Sequence, residues 1–189
     1  PHGDHFRKIE ELSGIYFQQH KPVSKQTKPG GHSVRFGYLQ TAAAWLDRLG
    51  SNHQFTQAGG QAWDQMVSKH MSLTGGLGQY PWNEGFGEAY DLDPEVAYNE
   101  TCAAIASILW SQNLLLMNND AQYADLIEWQ LYNAALVGIG ITGETYLYNN
   151  PLEVNIDIQR RSWYSVPCCP SNLSRLIERT PPRSRPRWS

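Results

Sequence analysis

Two cysteines stand side by side in Ser165-Val166-Pro167-Cys168-Cys169-Pro170-Ser171-Asn172, and the last of the chain's three lies 66 positions earlier, in Tyr98-Asn99-Glu100-Thr101-Cys102. Neighbouring cysteines rarely bridge one another. Their Cα atoms are about 3.8 Å apart, and a disulfide prefers 4.4 Å or more. Metal ligation or thiol chemistry is the sharper reading of the pair. Glu100 and Cys102 fall where a helix can begin, with Asn99 as its cap, and free backbone N–H groups there favour both a carboxylate and a thiolate. A plain cap followed by a buried cysteine is the alternative. Taken together, Glu100, Cys102, Cys168 and Cys169 form a four-coordinate oxygen and sulfur set that suits tetrahedral Zn²⁺, although neither pair has CxxC spacing.

Glu84 is the other carboxylate with chemical promise, in Pro81-Trp82-Asn83-Glu84-Gly85-Phe86-Gly87-Glu88-Ala89-Tyr90. Trp82, Phe86 and Tyr90 flank it. Such surroundings are expected to raise its pKa and make it a general acid, and aromatic faces suit sugar rings; a solvated loop glutamate is the alternative. His32, in Gly30-Gly31-His32-Ser33-Val34-Arg35, can meet a substrate hydroxyl or satisfy a core carbonyl. The chain has no strand-Gly-x-Ser-x-Gly elbow, no Walker loop and no dinucleotide glycine motif.

Helices must position these groups. Apolar residues recur at helical spacing over 34–49 (Val34, Tyr38, Leu39, Ala42, Leu46, Leu49) and over 62–71 (Trp63, Met66, Val67). Five glycines and Pro81 in the following stretch predict a long loop, and long loops inside compact domains are often functional. A third helix is expected from Glu95 or Asn99 to Met117, and a fourth from Asp120 to Val137. Thr145-Tyr146-Leu147-Tyr148 and the residues after it, with Pro151 interrupting, predict one or two short strands before the cysteine pair. The fold class is mainly α, a series of helices with a short β excursion.

At 189 residues, 41% hydrophobic and 17% charged, with a mean hydropathy of −0.51, the chain falls in the globular class. Four of its arginines crowd into residues 179–189. The remaining 178 residues carry 11 basic against 18 acidic side chains, a balance that repels phosphate backbones and argues against nucleic acid as a partner. The Arg, Pro and Ser tail reads as disordered. Ala103 to Leu116, the longest apolar-rich run, is broken by polar residues and falls short of a membrane span. An odd cysteine count without a signal-peptide pattern favours reduced thiols and hence the cytoplasm, with the compartment otherwise unassigned.

In order, Gly-Gly-His-Ser-Val-Arg at 30–35, Asn-Glu-Gly-Phe-Gly-Glu-Ala-Tyr-Asp-Leu at 83–92, Tyr-Asn-Glu-Thr-Cys-Ala at 98–103, Tyr-Leu-Tyr-Asn-Asn-Pro-Leu-Glu at 146–153 and Trp-Tyr-Ser-Val-Pro-Cys-Cys-Pro-Ser-Asn at 163–172 resemble the β-L-arabinofuranosidases of glycoside hydrolase family 127. The resemblance runs from about His20 to Leu176. It implies the second half of an (α/α)6 barrel, with residues 1–178 as a partial catalytic domain and 179–189 as a tail unlike the family.

The resemblance also implies roles. Zn²⁺ would be held by Glu100, Cys102, Cys168 and Cys169, with Cys168 as nucleophile and Glu84 as acid/base, while His32 and Tyr148 would contact the sugar. The implied partner is a small carbohydrate, an arabinofuranoside or a similar sugar, cleaved with retention. Val166 stands where many relatives carry a further cysteine, and Ser171 where a second proline is common. Sugar-binding residues of the first half-barrel lie outside the chain, so it is expected to be a poor enzyme or inactive alone. The rival readings are a non-catalytic carbohydrate-binding or structural remnant with a zinc staple, and a metal-free thiol hydrolase.

Overall fold

The computed structural model describes residues 13–50, 53–153 and 158–179. Helix α1 is a single turn, Ser13–Tyr16; α2 spans Ser33–Leu49, α3 Thr56–Lys69, α4 Thr101–Asn118, α5 Ala121–Gln130 and α6 Cys168–Arg179. Residues 179–189, the predicted tail, lie almost wholly outside the described residues.

Helix α4 is the centre of the packing. Its run Ala103-Ala104-Ile105-Ala106 contains good helix formers and no glycine or proline, and side chains are buried around most of its circumference, as expected of a helix with neighbours on several sides. Phe36, Trp63, Met66, Trp110 and Leu114 form one apolar cluster; Ile105, Ile108, Ala134, Ala135, Leu173 and Leu176 form a second. Helix α2 lies against α4 closely enough that a Cβ on Gly37 would come 2.7 Å from the Ala106 methyl carbon. The helix stops at Asn119, in the left-handed conformation that asparagine tolerates better than most residues.

Three differences from the expected elements have physical causes. Helix α3 begins at Thr56, six residues earlier than its apolar pattern, because the buried Asp47 carboxylate accepts from Phe55 N at 2.8 Å and Thr56 Oγ1 at 2.7 Å and so pins its start. The expected strands are absent among the described residues, and only isolated bridges occur there, Ile139 with Tyr146, Tyr146 with Arg161 and Glu100 with Asn149. The Asn150 backbone N–H goes to the Tyr98 and Asn99 carbonyls, both at 3.2 Å, and its side chain to the Asn99 carbonyl and Thr101 Oγ1, so the segment is tied to the start of α4. The third difference is that the cysteine pair opens a helix, α6. Pro170 sits in its first turn, where a missing N–H costs nothing, and Leu173 and Leu176 bury its inner face. The expected fourth helix is present, although after Gln130 it continues as a π turn and a 3₁₀ turn to Gly138. Among the described residues no helix is long and apolar enough to cross a membrane.

Candidate metal and catalytic centre

The start of α4 differs from the expected one by a single residue, and that residue matters. Asn99 is not the cap: its φ is 41°, and its N–H donates to the Gly78 carbonyl at 2.9 Å. Glu100 takes the cap position with extended backbone, and its side chain does not cap. The carboxylate is thereby free to turn toward the thiols, while Cys102 follows as the second residue of the helix. Thr101 N donates to the Tyr148 carbonyl at 2.9 Å, which ties this junction to the 147–150 segment.

The four residues converge. Donor atoms of Glu100, Cys102, Cys168 and Cys169 all lie within 4.8 Å of one another. Cys102 Sγ is 3.4 Å from Cys169 Sγ, Cys168 Sγ is 3.8 Å from Cys169 Sγ, and each of the paired sulfurs lies 3.7 Å from Glu100 Oε1. Glu100, Cys102 and Cys169 are buried, whereas Cys168 is half-buried. Glu100 Oε2 is buried and finds no hydrogen-bond partner. Among the described residues no Lys or Arg pairs with this acidic cluster. Burying such groups unpaired is costly, so the arrangement fits a thiophilic cation.

Without a cation, one negative charge concentrates on Cys168. Hydrogen bonds from Cys102 and Cys169 hold it down to about 2 against the cost of burial, helped by Tyr148 and Glu100. Its position as the first residue of α6 adds the helix dipole. Glu100 is pushed up to about 8, first by burial and then by the Cys168 and Glu84 charges. Cys102 is raised chiefly by its interaction with Cys168, against an opposing one with Cys169, and Cys169 is raised by its interactions with Cys102 and Cys168.

Glu84 lies on the glycine-rich loop next to this cluster, and donor atoms of His32, Glu84 and Glu100 also fall within 4.8 Å of one another. Its φ of 49° is unusual for a glutamate. Ser33 holds the Glu84 carbonyl through N at 3.0 Å and Oγ at 2.9 Å. The next residue must be glycine, since a Cβ on Gly85 would stand 2.1 Å from the Gly31 oxygen. His32 Nδ1 accepts from Val34 N and Arg35 N, capping α2, which assigns the ring hydrogen to Nε2; that N–H donates to Glu84 Oε2 at 3.0 Å. The Tyr98 hydroxyl donates to Glu84 Oε1 at 3.0 Å.

These bonds reverse one expectation. The aromatic surroundings do not raise Glu84: the His32 bond, opposed by burial and seconded by Tyr98, holds it below the usual carboxylate range, while the Cys168 charge acts the other way. Phe86 is buried in the core, Trp82 stacks on Tyr80 and Tyr90 is largely exposed. His32 has both ring nitrogens engaged within the protein, Nδ1 at the start of α2 and Nε2 on Glu84. Tyr148 is brought to the centre: its carbonyl lies 3.8 Å from Cys169 Sγ and its hydroxyl is close enough to Cys168 for each to shift the other's pKa, the tyrosine upward and the thiol downward.

Sequence reasoning missed three contributors. Tyr98 is one, although its motif was quoted. Ser33 is another. The third is Asn172, whose Nδ2 donates to Cys102 Sγ at 3.1 Å. Its position four residues after Cys168, on the same face of α6, was the available signal.

Residues 4–181 match the family model described as the beta-L-arabinofuranosidase GH127 catalytic domain. A non-reducing end beta-L-arabinofuranosidase of Bifidobacterium longum subsp. longum is 35% identical over 173 residues, which make up 86% of this chain and 26% of that protein. Among solved structures, the GH127 beta-arabinofuranosidase BT3674 is 39% identical with a TM-score of 0.84, over 86% of this chain and 26% of that one. A GH127 beta-L-arabinofuranosidase from Geobacillus stearothermophilus T6 is 34% identical with a TM-score of 0.83, over 91% of this chain and 31% of that one. The chain therefore spans between a quarter and a third of the length of these relatives, and its mainly helical fold is part of their α/α barrel.

Proposed function

The chain belongs to glycoside hydrolase family 127, the β-L-arabinofuranosidase family, and on that premise we propose that it carries the reactive centre of a retaining glycosidase for β-L-arabinofuranosides or a similar sugar. The observation that carries this reading is the Glu100 carboxylate, 3.7 Å from Cys168 Sγ and within 4.8 Å of the Glu84 donor atom. A candidate nucleophile and a candidate acid/base thus meet across one buried group.

Zn²⁺ fits the four-residue cluster. Around a tetrahedral zinc, with bonds of about 2.3 Å to sulfur and about 2.0–2.2 Å to oxygen, neighbouring ligand atoms stand roughly 3.6–3.8 Å apart. Four of the six separations here are 3.4, 3.7, 3.7 and 3.8 Å, and all six lie within 4.8 Å. The orphaned Glu100 Oε2 and the lack of a paired cation among the described residues support the same assignment. When bound, the ion would keep Cys168 ionised near neutral pH and anchor it through Glu100, Cys102 and Cys169.

The residues themselves perform the proton and bond transfers. Cys168 Sγ attacks the anomeric carbon as the glycosidic C–O bond breaks, and Glu84, protonated for this step against the His32 and Tyr98 bonds that favour its anion, gives that proton to the departing oxygen. Water then attacks the same carbon, passes its proton to Glu84 and releases Cys168. Two inversions give retention. Tyr148, whose hydroxyl interacts with Cys168, would help hold the nucleophile as a thiolate and contact the sugar.

The test is a glycosyl trap. With Glu84→Gln and an aryl β-L-arabinofuranoside bearing a good leaving group, mass spectrometry is expected to show one pentosyl unit on the peptide containing Cys168. Hydrolysis without any such adduct, or an adduct elsewhere, contradicts the reading.

A further inference from the structure

Glu84 is held by two side chains of different character. His32 can only donate to Oε2, because its Nδ1 is committed as the acceptor of Val34 N and Arg35 N at the start of α2. The Tyr98 hydroxyl on Oε1 is a rotor that can donate or accept. A carboxyl oxygen that takes up a proton becomes a poor acceptor. On Oε2 that proton would weaken a bond the imidazole cannot reverse; on Oε1 the phenol can turn and lend its own lone pair.

We propose that Tyr98 is the positioning residue that makes Oε1 the proton-carrying oxygen of Glu84 and holds the carboxyl plane for both proton transfers. This inference rests on Glu84 being the acid/base. Across the cycle the proton leaves Oε1 for the departing oxygen and returns to Oε1 from the attacking water. Tyr98 keeps its own proton throughout, turning its hydroxyl between donor and acceptor instead of ionising. The residue sits two positions before Glu100, at 7% exposure, with its ring 6.1 Å from that of Tyr148. It is thereby fixed by the same junction that fixes the cluster.

The experiment compares the unmodified protein, Tyr98→Phe and Glu84→Gln on aryl and alkyl β-L-arabinofuranosides whose leaving groups span a range of acidity. Loss of acid assistance is felt most by poor leaving groups. Tyr98→Phe is expected to lower kcat about 10- to 100-fold on an alkyl glycoside, much less on a nitrophenyl one, with KM within about twofold. In a Glu84→Gln background the same change is expected to add nothing to that leaving-group dependence. An equal loss on all leaving groups, or a loss mainly in KM, overturns the proposal and leaves the acid/base reading standing. If Glu84→Gln itself shows no leaving-group dependence, the acid/base reading falls and this inference falls with it. One readout needs neither variant nor turnover: ¹⁵N NMR of the unmodified protein is expected to give His32 as the Nε2–H tautomer, and an Nδ1–H tautomer overturns the argument.

Discussion

The sulfur atoms of Cys102 and Cys169 lie 3.4 Å apart across 67 residues of chain, one near the start of α4 and the other near the start of α6. Two helix N-termini therefore meet at one point. The contact is both a candidate metal staple and a packing constraint, and the cysteines are expected to divide between those duties. Cys102→Ser puts a hydroxyl at a site with 0% exposure and takes away a candidate ligand, so it is expected to destabilise the protein by several kcal/mol and abolish metal uptake. Cys168→Ser changes a half-buried group and is expected to lower stability much less while removing turnover. Denaturation midpoints beside rates measure both. Equal destabilisation by the two changes contradicts the division.

Glu84 predicts a pH effect on folding. Its carboxyl lies below its ordinary value in the folded protein, chiefly through the His32 bond. A group depressed in this way adds stability above its unfolded pKa, and that stability is lost as pH falls through the folded value. The stability of the unmodified protein is expected to fall more steeply on acidification below about pH 5 than that of Glu84→Gln. Parallel curves contradict the bond.

Much of this was legible in the sequence, for reasons that particular residues make plain. The helical spacing of α2 and the caps around Asp120 are local, so their elements stood out. The clustering of four candidate donors was readable because cysteine is scarce here and a glutamate sits two before one of the three. The assignment of Asn99 as cap failed because hydrogen bonds to Gly78 and Asn150, distant in sequence, hold it in a left-handed conformation. The sign of the Glu84 shift was equally hidden: it depends on His32, 52 residues away, and on the tautomer imposed by a helix start.

Two glycines test the loop that carries Glu84. Gly85→Ala forces a Cβ to within 2.1 Å of the Gly31 oxygen, which is backbone and cannot step aside. A loss of about 2–4 kcal/mol is expected, together with loss of activity. Gly60, inside α3, meets nothing within 4 Å, so Gly60→Ala is expected to stabilise by up to about 1 kcal/mol. Chemical denaturation distinguishes them, and a neutral Gly85→Ala contradicts the packing of the loop.

Asn172 supplies an N–H to the Cys102 sulfur at 3.1 Å. Bonds of this kind orient a ligand and temper its charge. Asn172→Leu is expected to weaken metal binding about 10- to 100-fold with little change in fold. Competition with a chromophoric chelator reads the affinity; an unchanged value removes Asn172 from the site.

The central claim is that Glu100, Cys102, Cys168 and Cys169 form one zinc site. Elemental analysis of the purified protein combined with zinc-edge X-ray absorption tests it most directly. One zinc per chain is expected, with a shell of three sulfurs at about 2.3 Å and one oxygen at about 2.0–2.2 Å. A protein purified and reconstituted without stoichiometric zinc, or a shell of nitrogen and oxygen alone, would contradict the site and the chemistry built upon it.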